Sequence, residues 1–201
     1  MEETPPFGRR VLEPSPLTCK SLLLYLSTYT PQLSFGLRFE GWDLISPSCI
    51  VDGFDVSIEE PPNLSRVQRA RFCAPKKKHA AIKYVLFTHM RTGLILHCSS
   101  PYPGGACEAS IVEAELKDEL LPGERLLGDC GYALWPSRFV VPKHHEAGRT
   151  LNSIRATVEH SVGRVKSFGI LSTSAFRSTE YEWHGDLTQL VCRIINHKFS
   201  Q

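Results

Sequence analysis

The stretch Leu151 to Leu171, LNSIRATVEHSVGRVKSFGIL, decides how the rest of the chain must be arranged. Leu151, Ile154, Val158, Val162 and Val165 recur at steps of three and four, the spacing of one helical face that packs on a core. Thr150 is a fitting cap for its start, with Asn152 and Ser153 as rivals one turn in. Glu159 follows Val158 at the rim of the apolar stripe. Arg155 sits one turn before it and Gly163 one turn after, on the same side. An acid at such a rim is ordinarily solvated or paired with its arginine. It gains meaning only if other acids meet it.

Composition sets the bounds. With 201 residues, 42% hydrophobic and 22% charged, the chain is long enough for one domain with a real core. No apolar run reaches the roughly 20 residues of a membrane helix, and no membrane association is expected. The opening MEETPPFGRR lacks the basic-then-apolar order of a signal peptide. Seven cysteines, an odd number without a CxxC pair, fit reduced thiols better than a disulfide framework. The eight histidines show neither HxxxH nor HExxH spacing, so a zinc site is not expected.

Outward from the long helix, strands alternate with turns. Residues 1–16 are proline-rich and without periodicity, and Leu17–Tyr29 has one apolar helical face, so 1–44 reads as a lead with a short helical remnant. Cys49-Ile50-Val51 is an apolar strand that runs into Asp52, and the extended pattern continues through Val56 and Ile58 to the prolines at 61 and 62. Asn63–Pro75 reads as a basic loop. Ala80–Phe87 and Leu94–Cys98 form a hairpin around Arg91-Thr92-Gly93. Pro101–Gly105 breaks the chain, and Ala106–Leu121 reads as a helix with Ile111, Val112, Leu116 and Leu120 inward. Arg125–Gly128 is a buried strand ending at Asp129, and Phe139–Pro142 a very short one. Tyr181–Phe199 is the last helix. A meander of three strands, a helix, two strands and two more helices predicts an α/β domain over 45–201, built on a mixed five-stranded sheet.

If the first and fourth strands are neighbours, the intervening helix makes them parallel, and Asp52 and Asp129 share one edge. Ligands of open α/β sheets bind at that edge. The long helix can bring Glu159 there too. Three converging carboxylates repel, and a divalent cation between them relieves the repulsion. Hard oxygen ligands favour magnesium or manganese. Two such ions about 3.5–4 Å apart can activate water and stabilise the leaving oxygen of a phosphodiester.

Three segments then resemble one family. IVDGFDVSI, LLGDCGY and RATVEHSVGRVKSFGIL occur in the order, and with the strand pattern between them, of the DDE-superfamily endonuclease domain of PIF/Harbinger-type transposases. The resemblance runs from about Ile45 to Leu171. It implies a ribonuclease-H-like fold and metal-dependent cleavage of DNA by a two-metal mechanism. Asp52, Asp129 and Glu159 would be catalytic and metal-binding, with Mg2+ or Mn2+ as cofactor. Arg155 and Lys166 would orient carboxylates or touch phosphate. DNA would be the partner and the nucleus the compartment.

The chain also departs from the pattern. Where the family usually carries a further metal-site aspartate after the Pro-Gly turn, this sequence has Glu108, in PGGACEAS. A glutamate there still reaches a metal but shifts it by about 1 Å, enough to slow the chemistry. The segment between Asp129 and Glu159 is short for the family, and the family's amino-terminal DNA-binding part has no counterpart beyond Leu17–Tyr29. A catalytically impaired derivative, acting as a nuclear scaffold for DNA or for a DNA-binding partner protein, is therefore the alternative. The basic run Arg66–Lys83, with Lys76, Lys77 and Lys78 at its centre, suits DNA phosphates or a solvated edge equally.

Overall fold

The computed structural model describes residues 33–39, 47–60, 65–76, 78–142, 146–172 and 181–199, with positions 21, 24 and 25. The predicted lead 1–16 lies outside these. So does the predicted helix Leu17–Tyr29, apart from the three single positions, which are helical.

The central strand is β1 (Ile50–Ser57). It pairs antiparallel with β2 (Ala81–Thr88) in unbroken register, from Ile50 opposite Thr88 to Ser57 opposite Ala81. β3 (Ile95–Cys98) continues the meander beyond β2. On the other side β1 pairs parallel with β5 (Leu126–Leu127), and β5 with β6 (Phe139–Val140). The order β3-β2-β1-β5-β6, three antiparallel strands followed by two parallel ones, is the ribonuclease-H-like arrangement the sequence implied.

A sixth strand was not expected. β4 (Tyr102–Pro103) pairs with β2 at Ile82 and Lys83, because β3 covers only the other half of β2. Pro103 has no N–H to donate, and it sits where a proline is tolerated, at an edge.

Alternation along β1 and β2 sends side chains to two cores. Ile50, Phe54, Tyr84 and Leu86 face α3 (Glu146–Lys166) and α5 (Tyr181–Phe199), meeting Val158, Val162, Val165, Leu187 and Val191. Val51, Val85 and Phe87 face α2 (Glu108–Leu116) and meet Ile111, Val112 and Leu116. All eight residues of β2 are buried, as a strand covered on both faces and both edges requires.

Local chemistry moved three boundaries. The segment read as a loop holds α1 (Arg66–Phe72), whose start is closed by a reciprocal capping box between Ser65 and Gln68. The long helix begins at Glu146, so Thr150 lies within it rather than at its start. It stops at Lys166, and Gly169–Ser172 forms a separate turn, α4. The last helix spans Tyr181–Phe199 as expected.

Residues ahead of Ile45 also join the core. In the 3₁₀ turn Phe35–Phe39, Phe35 is buried against Phe87, and Arg38 lies over the rings of Phe35 and Phe39. Arg38 makes a two-pronged ion pair with Glu124, Nε to Oε1 at 2.7 Å and Nη2 to Oε2 at 3.1 Å. Burial alone would raise the Glu124 carboxyl. Arg38, Ser48 and the Leu121 N–H outweigh it and hold the group below its ordinary value.

Candidate active site

Asp52 does not end its strand. β1 runs on to Ser57 because β2 keeps pairing with it, whereas β5 stops at Leu127. The two aspartates nevertheless stand level. Ile50 and Leu127 are register partners in the parallel pair, and Asp52 and Asp129 each lie two residues further on. Alternation puts Asp52, between Ile50 and Phe54, on the α3 side of the sheet.

Asp129 opens the 3₁₀ turn Cys130–Tyr132. Its Oδ1 accepts the Gly131 N–H at 2.8 Å, so the residue is a cap as well as an acid. The turn folds Tyr132 back over Gly128, where any side chain would collide with the tyrosine ring. The Tyr132 hydroxyl then donates to Glu108 Oε2 at 3.0 Å.

Glu108 is the first residue of α2, and its carboxyl group lies directly against the Cα of Gly53, the neighbour of Asp52. A Cβ at position 53 would occupy the space of that carboxylate, which explains why glycine follows Asp52. Lys83, only 7% exposed, holds the same group in place. Its ammonium lies 3.7 Å from Glu108 Oε1 and 3.9 Å from Asp55 Oδ1, and donates to the Ala106 carbonyl at 3.1 Å.

These acids sense one another. Burial, then the charges of Glu108 and Asp129, push the Asp52 carboxyl up to about 6, while Arg155 and the Gly53 N–H pull the other way. Burial, Glu108, Asp52 and Asp129 likewise push the Tyr132 phenol well above its ordinary value. The donors are hard oxygens short of positive charge, which is the chemistry that suits Mg2+ or Mn2+. Among the described residues, however, no group of three or more His, Cys, Asp or Glu side chains is in position to hold a metal ion.

Glu159 stands apart from the cluster. Its side chain is 52% exposed, and Arg155 Nη2 donates to its Oε1 at 2.5 Å. Arg155 is the link, since its charge is felt by both Glu159 and Asp52. Lys166 is exposed on the same helix, with its ammonium 5.9 Å from the ring of Phe54, two residues beyond Asp52. Lys76 and Lys78 are exposed in the turn after α1, and Lys77 lies outside the described residues.

Sequence reasoning assigned Asp52, Glu108, Asp129 and Glu159 to one site; the charges of Glu108, Asp129 and Arg155 act on Asp52, and Glu159 is paired with Arg155. It missed the special place of Lys83. The signal was there: one lysine inside the apolar strand AIKYVLFT, where a buried charge demands a partner.

Asp52 stands on the central strand of this ribonuclease-H-like sheet, and Asp129 stands level with it just after the parallel neighbour. A family model described as DDE superfamily endonuclease matches residues 51–196, most of the chain, and the chain belongs to that family. Membership makes it a nuclease- or transposase-type domain, a class that acts on DNA and generally uses divalent metals. Comparison with curated proteins and with solved structures gave no match.

Proposed function

We propose that the chain is a PIF/Harbinger-type DNA endonuclease domain that hydrolyses phosphodiester bonds by a two-metal mechanism. One observation carries the reading most directly. Burial first, and then the charges of Glu108 and Asp129, acids from separate motifs, push the Asp52 carboxyl up to about 6. Divalent magnesium or manganese, when bound, supplies Lewis-acid charge stabilisation and lowers the pKa of water. Asp52 and the Oδ2 oxygen of Asp129, whose Oδ1 caps the turn, are the proposed principal ligands. Glu108 is the accessory ligand, oriented by Tyr132 and Lys83. Glu159 completes the set by exchanging Arg155 for the site, which frees the guanidinium for phosphate. Lys166, and more remotely Lys76, Lys77 and Lys78, neutralise DNA phosphates along the approach. The nucleus is the matching compartment, and residues from Ile45 onward carry the nuclease motifs.

The pairings of Glu159 with Arg155 and of Glu108 with Lys83 favour a second reading, a catalytically impaired derivative that serves as a nuclear DNA- or protein-binding scaffold. Nicking of supercoiled plasmid in Mg2+ or Mn2+ separates the two. Nuclease function requires cleavage by the wild-type chain and its loss in Asp52→Asn, Asp129→Asn and Glu159→Gln. Cleavage that survives in all three variants, or is absent from the folded wild type, contradicts it.

A further inference from the structure

α2 and the segment that follows the 3₁₀ turn enclose a groove of about 600 Å³. Ala109, the residue after Glu108 in the chain, lines one side, and Trp135, three residues beyond Tyr132 in the chain, lines the other. Ala109 and Phe139 are its buried lining. The Trp135 indole is 36% exposed on a backbone that is firmly held. The Trp135 N–H donates to the Tyr132 carbonyl, and its own carbonyl accepts from the N–H groups of Arg138 and Phe139, all at 3.0 Å. Two cations, Lys117 and Arg138, line the groove with one acid, Glu113. Arg138 Nε and Glu113 Oε2 face each other at 3.5 Å, both partly exposed.

An aromatic face on a fixed loop, flanked by an excess of positive charge, matches an unstacked base with its phosphate. An apolar peptide would find a charged pair across its path. We propose that this groove is a subsite for one unpaired nucleotide of a single-stranded nucleic acid. The base stacks on Trp135, and the adjoining phosphate takes Arg138 from Glu113 with help from Lys117. The nature of the occupant rests on the nuclease reading.

The test is binding of a fluorescently labelled oligo-dT strand to the full chain in EDTA, read by anisotropy. Trp135→Ala should weaken binding about tenfold, the scale of one lost base–aromatic stack. Trp135→Phe should stay within about threefold, because a ring remains. Glu113→Gln should tighten binding, since the competitor for Arg138 is gone, and the thermal midpoints of all variants should stay near wild type. Equal affinity of wild type, Trp135→Ala and Glu113→Gln overturns the subsite, as does binding of an uncharged leucine-rich peptide in the groove in preference to the oligonucleotide. Metal is absent throughout, so a failure of cleavage elsewhere leaves this result standing, and the reverse holds too.

Discussion

The Tyr132 hydroxyl donates to Glu108 Oε2 at 3.0 Å and so ties the turn that carries Asp129 to the helix that carries Glu108. Both ends of this contact depend on glycine. Gly128 makes room for the tyrosine ring, and Gly53 makes room for the carboxylate. The motifs around Asp52, Glu108 and Asp129 are thus parts of one packed object, held on its far side by Lys83.

Replacing Gly128 with alanine should cost more stability than replacing Gly53. At 128 the new Cβ meets the buried Tyr132 ring, and overpacking of that kind costs about 1–3 kcal/mol. At 53 it meets the end of a side chain that can swing away. Gly53→Ala should therefore fold with a small loss in urea unfolding, yet lose metal affinity as Glu108 is displaced. Equal losses of stability in the two variants would contradict this packing.

Asp52 should weaken the metal-free fold at neutral pH. Its folded value of about 6 lies above the ordinary 3.8, so the unfolded chain gives up this proton first as pH rises. The penalty grows between those two values and is complete above about 6, on the order of 3 kcal/mol. Asp52→Asn should raise the Tm of the metal-free protein at pH 8 and leave it nearly unchanged at pH 3.5. A lower Tm at pH 8 would show that the carboxylate is not under strain.

His184 acts on the acid side with the opposite sign. Its ring is buried in the α3–α5 core, 2.5 Å from the Tyr84 hydroxyl, and burial brings its value from 6.5 down to about 4. As pH falls through that interval the unfolded chain takes up a proton that the folded ring refuses, so stability is lost. His184→Gln should flatten the fall of Tm with acidity across that interval, though its Tm at pH 7 drops with the lost Tyr84 contact. An unchanged slope would mean that another group drives the acid limb.

Arg38→Met should destabilise by about 3–5 kcal/mol, the cost of leaving a buried carboxylate such as Glu124 without its partner. A chain started at Ile45 should suffer at least as much, since it loses Phe35 as well. Urea unfolding of both checks this, and wild-type stability in either would show that the turn is dispensable.

The periodic parts of the fold were legible in the sequence. Ala81–Thr88 and Tyr181–Phe199 carry enough apolar residues at one spacing to declare themselves, and the parallel partner of β1 followed from chain order. What stayed hidden depends on single contacts. The capping box at Ser65 turned a polar stretch into helix, and the vacant half of β2 drew Tyr102–Pro103 into the sheet. Asp52 and Asp129 stood out because each follows an apolar run. The pairing of Glu159 with Arg155 is the ordinary state of an acid at a helix rim, and the sequence set against it a metal site shared with Asp52 and Asp129.

Isothermal titration of the metal-free chain with Mn2+ at pH 8 tests the metal site most directly. The gathered acids require saturable binding by wild type and its loss in both Asp52→Asn and Asp129→Asn. A folded wild-type chain that gives no binding isotherm, or variants that bind as wild type does, would contradict a cation site at these carboxylates.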